Sequence, residues 1–155
     1  MKRTSLLCVL VLVCLLTVSH SVFTSSNELL HKPSFQSADD FYEKKIDKKE
    51  YEEFIDSQLK VRQLLSVKDL PKVFDQKEWN DYPVAWKKHL KKAIIGNSKQ
   101  LHPEQQVYYF FSLKDDGEKI HIKFAMYDAK MEKISSHGGG HWTKEEFKRK
   151  FEQNI

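Results

Sequence analysis

Apolar residues along this chain first follow a helical spacing and then an alternating one. Between residues 38 and 65 they recur every three or four positions, which predicts a helical segment with one inward face. Ser37 followed by Asp40 is typical of a helix N-terminus, and Asp47 with Glu50 indicates a second start inside the segment. The inward stripe of this segment consists of Tyr51, Phe54, Ile55, Leu59 and Arg62.

Two more helices are predicted before the spacing changes. Ser66 precedes a short helical stretch whose start is left imprecise by Pro71. Its apolar residues are Val67, Leu70, Val73 and Phe74. A longer helix is delimited by Asp81 and Pro83 before it and by Gly96-Asn97 after it. The inner stripe of this longer helix consists of Trp86, Leu90, Ala93 and Ile94.

From residue 107 the pattern becomes that of strands. The run 107–113 is apolar at every position but one, as is typical of a central strand, and Asp115-Asp116-Gly117 then indicates a turn. The run 120–127 alternates cleanly, and a bend at 128–130 leads to a shorter strand around Met131–Ser135. These runs predict an antiparallel meander of about three strands.

The chain closes with the best-defined local pattern. Thr143 and Glu146 form a capping box, and Trp142 is placed to pack on Phe147, which continues to Phe151 on one helical face. The order of helices, meander and final helix predicts the α+β class. We expect a single domain over 37–155 in which one layer of helices covers one face of the sheet.

The N-terminus predicts export. Lys2 and Arg3 precede an apolar run of residues 6–18, and Ser19-His20-Ser21 follows, so we interpret 1–21 as a cleavable signal peptide. The run is shorter than a membrane-spanning helix, which favours cleavage over an uncleaved membrane anchor. Residues 22–36 are predicted to be a flexible leader. The exported protein is therefore expected outside the cytoplasm.

Removing the signal changes the charge and cysteine content. The full chain has 26 Lys and Arg against 22 Asp and Glu, and losing Lys2 and Arg3 leaves 24 against 22, a net charge of +2. Such a balance selects no class of partner by itself. Cys8 and Cys14 both lie in the signal, so the mature chain has no disulfide and depends on its core.

The segment His137-Gly138-Gly139-Gly140-His141-Trp142 suggests three kinds of site. Glycine-rich turns bind anions at helix N-termini, but Glu145 and Glu146 would repel an anion there. Imidazoles bind zinc or copper, so His137 and His141 are candidate metal ligands, with His121 or His102 as a third. His121, His137 and His141 are also candidate acid–base catalysts. The simpler interpretation is a glycine turn from strand to helix flanked by solvated histidines.

A lysine-rich stretch and an aromatic sheet face are the candidate binding surfaces. The chain between Asp81 and Glu104 contains no acidic residue. It contains five lysines: Lys87, Lys88, Lys91, Lys92 and Lys99. These lysines would meet either an external anionic partner (lipid head groups, a wall polymer, nucleic acid or an acidic protein) or the acidic segment 38–56. Tyr108, Phe110 and Tyr127, with His121, share the other sheet face and would be either exposed for binding or part of a second core.

The sequence contains none of the common catalytic motifs, and it implies no cofactor. We therefore expect a secreted non-enzymatic binding protein, such as an inhibitor, an immunity-type protein or an effector. It would act through a protein or an anionic surface. One alternative is a secreted hydrolase, a nuclease or phosphoesterase, that uses the histidines. The other is a peripheral binder of an anionic membrane or polymer through residues 86–99. The sequence leaves the oligomeric state open.

Overall fold

A four-stranded antiparallel sheet organises the part of the chain that the computed structural model describes, which is Pro33 and residues 35–152. The strands β1 (Leu59–Ser66), β2 (Gln106–Asp115), β3 (Lys119–Asp128) and β4 (Ile134–Thr143) lie in that order across the sheet. Helices precede and follow them, so the predicted α+β class is confirmed. The predicted signal peptide and all of the leader except residues 33, 35 and 36 lie outside the described residues.

The first strand corrects the prediction of a helix over 38–65. Helix α1 is short, Ala38–Lys44, and begins as expected, with the Asp40 amide donating to the Ser37 hydroxyl at 3.1 Å. The chain then turns, and β1 pairs along its whole length with β2, from Leu59 opposite Leu113 to Ser66 opposite Gln106. Long-range pairing with β2 and burial of Leu59 and Val61 on the same face outweigh the helical spacing.

The last strand corrects a second prediction. The strand expected at 131–135 is β4, which begins at Ile134 and includes the glycines, so these do not form a turn. Glycine is a poor strand former, but here it makes room for rings. A Cβ at Gly138 would lie 2.9 Å from the Phe124 ring, and one at Gly140 would lie 2.5 Å from the Trp142 ring. The chain passes from β4 directly into the final helix.

The remaining helices follow the predicted pattern with small differences. Residues Val67–Asp75 form the expected short helix as a 3-10 helix, and a second 3-10 turn spans Lys77–Trp79. Helix α2 (Val84–Ser98) starts after Pro83 but continues through Gly96 and Asn97. Ala93 is exposed on it instead of lying on the inner stripe.

The final helix confirms its predicted start. Helix α3 spans Lys144–Glu152. The Thr143 amide donates to the Glu146 carboxylate at 2.9 Å, and the Glu146 amide donates to the Thr143 hydroxyl at 3.2 Å. The Trp142 and Phe147 rings pack edge to face at 5.7 Å. The capping box therefore follows from the local sequence, and one distant contact is added where the Lys144 amide donates to the Glu118 carbonyl at 3.2 Å.

Two cores lie on opposite faces of the sheet, which corrects the expectation of helices on one face only. On the α2 side, residues of β1–β3 pack against the 3-10 segments, α2 and α3, through side chains such as Phe74, Trp79, Ile94 and Phe147. On the α1 side, Phe41 and Tyr42 pack against the other face of β2 and β3. The terms "α2 side" and "α1 side" denote these two faces below.

Candidate functional site

The predicted aromatic binding surface is wrong, because those side chains form the α1-side core. Tyr108, Phe110 and Tyr127 are at most 3% exposed. Phe41 of α1 stacks on Tyr108 with ring centroids 4.2 Å apart. Burial, with nearby Glu50 and Asp47, raises the pKa of Tyr127 to about 12. These residues stabilise the sheet and offer no surface to a partner.

The lysine-rich helix, in contrast, presents a continuous outer face. Lys88, Lys92 and Lys99 are exposed, and Lys87 is half-buried. Two aliphatic side chains stand among them, Val84 at 76% and Ile95 at 47% exposed. The positions 84, 88, 91, 92, 95 and 99 recur every three or four residues, so they share one side of the helix. We call this surface, Val84 to Lys99, the α2 face.

The acidic segment 38–56 does not neutralise the α2 face. Its helix packs on the α1 side of the sheet, and its carboxylates are used there. Arg62 of β1 donates to Glu53 at 2.9 Å and also to Asp39 and Glu43, each at 3.1 Å. The Arg62 guanidinium also lies 3.8 Å from the centre of the Tyr42 ring. The internal alternative for the lysines is therefore wrong.

Within the described residues, one ion pair involves a lysine of the α2 face. Lys91 contacts Asp75 at 2.5 Å, and Asp75 belongs to the neighbouring 3-10 helix. That pair fixes one side chain at the edge of the face. The charges of the other four lysines face solvent, so the positive charge of α2 is concentrated on this face. These lysines are Lys87, Lys88, Lys92 and Lys99.

The structure brings the three candidate histidines to one sheet face. His121 of β3 lies directly opposite His141 of β4, with ring centroids 6.0 Å apart. His137 lies on the same face four residues earlier, opposite Ala125. Together with residues 48–52 and Phe54 they line an open groove of about 570 Å³ on the α1 side, which we call the histidine groove.

A carboxylate outside the predicted site orients one of these histidines. The Asp116 carboxylate accepts from His121 Nε2 at 2.7 Å, so the other ring nitrogen, Nδ1, is an acceptor while the ring is neutral. Backbone hydrogen bonds from Lys119, then the contact with His121 and the Glu118 amide, lower the pKa of Asp116 to about 2. The sequence assigned Asp116 only to the turn, and its spacing from His121 contains no signal of this contact.

Lys123 is the other groove residue that sequence reasoning missed. Its ammonium donates to the Glu52 carbonyl at 3.1 Å and lies 4.6 Å from the centre of the Phe54 ring. An ammonium has three donors, so two remain for other acceptors. The alternation of β3 could have found it, because residues 121 and 123 must share a face.

The metal hypothesis gains no support from this arrangement. His137 and His141 are separated by four residues of extended strand, about 13 Å. His102, the other suggested ligand, is exposed in a loop and its Nδ1 accepts from the Glu104 amide at 3.2 Å. Among the described residues there is no group of three or more His, Cys, Asp or Glu side chains that could hold a metal ion.

Comparison with known proteins gives no further information about the function. No protein family, curated protein or solved structure matches this chain significantly. In the part of the chain that the structure describes, no helix combines the length and apolar character needed to cross a bilayer. The two surfaces just described are therefore the basis for a functional proposal.

Proposed function

We propose that this chain is an exported, non-enzymatic binding protein that attaches to anionic lipid surfaces through the α2 face. The observation that carries the proposal is the joint exposure of lysines and aliphatic residues on one side of α2. Export itself rests on the predicted signal peptide of residues 1–21.

The charge of the face favours an anionic partner. Lys87 with Lys91 and Lys88 with Lys92 are like-charged pairs one helical turn apart, and each costs a few tenths of a kcal/mol in the free protein. An anionic surface removes that repulsion. Near an anionic membrane each lysine contributes about 1 kcal/mol of attraction, so four together give substantial affinity.

The aliphatic side chains favour a lipid surface over a purely polar polymer. Val84 and Ile95 are two of the four large apolar side chains that are exposed among the described residues. Helices that lie in a membrane interface combine basic residues with apolar side chains that enter the acyl boundary. The same combination on α2 fits a helix that lies flat on the membrane while its other side stays packed on the Val67–Asp75 3-10 helix and on α3.

The first test is binding to vesicles of phosphatidylcholine and phosphatidylglycerol in equal amounts, measured by co-sedimentation. Replacing Lys87, Lys88, Lys92 and Lys99 with Gln should weaken binding about a hundredfold or more, because about 4 kcal/mol of attraction is lost. Raising the salt from about 0.1 M to about 1 M should release the wild type, since the Debye length falls to about 3 Å.

The matched control replaces four lysines elsewhere, Lys44, Lys60, Lys130 and Lys133, with Gln. Both variants lose the same charge, so only a specific surface separates them. Replacing Val84 and Ile95 with Ser should also weaken vesicle binding, about tenfold, while leaving all lysines in place. Equal loss in the two lysine variants, or binding that resists salt, would refute attachment through this face.

A further inference from the structure

We infer that the histidine groove binds a small molecule carrying a phosphate monoester, with Lys123 and His141 as its donors. The inference concerns the α1 side of the sheet, and it does not depend on the function proposed for α2.

Two donors lie close together on one face of the sheet. His121 and His141 face each other across β3 and β4, and Lys123 is one alternation further along β3, opposite Gly139. The His121 and His141 rings are 6.0 Å apart and tilted by 32°, so an oxyanion would bind over their edges on the groove side and not between them. A phosphate monoester offers three terminal oxygens, so one phosphate can accept from both Lys123 and His141.

Backbone atoms form the floor of the groove at Gly139. Gly139 lies on β4 between His137 and His141 and is exposed. A Cβ there would collide with the Ile122 carbonyl oxygen, so glycine is required by the packing of β3 and β4. The same glycine lets a ligand approach the backbone closely.

The charge of the groove depends on its histidines. Three lysines, Lys48, Lys49 and Lys123, and two glutamates, Glu50 and Glu52, line the groove, and the Asp116 carboxylate contacts His121, so cations and carboxylates balance while the imidazoles are neutral. Each imidazole that gains a proton adds one positive charge. The groove volume, about 570 Å³, exceeds that of a phosphate and lies in the range of sites for small organic ligands.

The groove residues are held in place before any ligand binds. Asp116 fixes the His121 ring through Nε2, and the Glu52 carbonyl holds the Lys123 ammonium at 3.1 Å. Lys48 is held in the same way, donating to the Tyr42 carbonyl at 3.3 Å and resting on the Tyr42 ring. Donors that are ordered in advance lose less entropy on binding.

The test follows the ring proton NMR signals of the histidines in the purified protein. Adding inorganic phosphate or ribose 5-phosphate should shift the His121 and His141 signals saturably, whereas His89 and His102 should not respond. Ribose alone is the control for the sugar. Dihexanoyl phosphatidic acid, used as a monomer, shows whether a lipid headgroup is an equally good source of the phosphate.

Variants then separate a site from general anion attraction. His141→Asn should weaken ribose 5-phosphate binding about tenfold, as expected when a charge-assisted hydrogen bond is lost, and His102→Asn should leave it unchanged. Lys123→Gln provides a second variant with the same expected direction. Shifts that never saturate, that appear equally at all histidines, or that survive His141→Asn and Lys123→Gln would overturn the inference. So would an absence of shifts with all three phosphate compounds.

Discussion

At the scale of single residues, each of the three glycines of β4 is required by a different contact. Gly138 and Gly140 accommodate the rings of Phe124 and Trp142 on the α2 side. Gly139 faces the other side, where a Cβ would meet the Ile122 carbonyl oxygen. Because a backbone atom cannot rotate away as a side chain can, position 139 is the least tolerant of the three. The run is thus a packing requirement of an edge strand.

We expect Gly139→Ala to lower the free energy of unfolding by about 1–3 kcal/mol, since β3 and β4 must move apart. Gly96→Ala is the matched control: nothing lies within 4 Å of the added Cβ, and the residue is inside α2. That change should stabilise the protein by about 0.5–1 kcal/mol. Urea unfolding of both variants measures the difference, and a Gly139→Ala protein as stable as Gly96→Ala would contradict this account of β4.

At the scale of elements, the structure shows which helices and strands could be predicted from their local sequence. The capping box of Thr143 and Glu146 and the N-cap of Ser37 were predictable, because all their partners lie within a few residues. The start of helix α2 followed from Pro83, and the hairpin of β2 and β3 followed from the apolar runs on either side of the Asp115-Asp116-Gly117 turn. Such local signals are sufficient where no distant partner competes.

Other elements depend on partners far along the chain. Leu59 and Arg62 fit a helical stripe as well as a strand, and only pairing with β2 decides between the two. The glycines of β4 are poor strand formers and are held by β3. The candidate site could not be predicted for the same reason, because the position of His121 opposite His141 depends on the register between β3 and β4. The sequence named all three histidines but could not place them in one groove.

A single arginine joins α1, the following loop and β1. Arg62 is paired with Glu53, whose side chain is only 3% exposed, while the arginine side chain is 21% exposed. Arg62→Ala would leave the Glu53 carboxylate buried without its partner. We expect a loss of roughly 2–4 kcal/mol in unfolding free energy, slightly below the cost for a fully buried pair.

The control for Arg62 is an exposed ion pair. Lys68 and Glu104 contact each other at 2.7 Å with both side chains about half exposed, so Lys68→Ala should lower the free energy of unfolding far less than Arg62→Ala does. Adding Glu53→Gln to Arg62→Ala should recover part of the loss, because the uncompensated charge is removed. Equal costs for Arg62→Ala and Lys68→Ala in thermal or urea unfolding would show that Glu53 tolerates burial without the arginine.

At the scale of the whole molecule, the sheet separates two surfaces. Helix α2 lies on the side of one face, packed on the Val67–Asp75 3-10 helix and on α3, and presents its lysines outward. The histidine groove lies on the other face, beside α1 and the loop that follows it. A protein built in this way could lie on an anionic membrane by one side and keep the groove open on the other. Attachment and ligand binding would then be independent of each other.

Lysine labelling on vesicles tests this arrangement most directly. The protein is acetylated with and without vesicles of phosphatidylcholine and phosphatidylglycerol, and the rate at each lysine is read by mass spectrometry. We expect Lys88, Lys92 and Lys99 to react several-fold more slowly on the vesicles, while Lys49 and Lys123 in the groove keep their rates. Phosphatidylcholine alone should change neither set. If bound protein showed unchanged rates at the α2 lysines, or equal protection in the groove, the account of two opposite surfaces would be wrong.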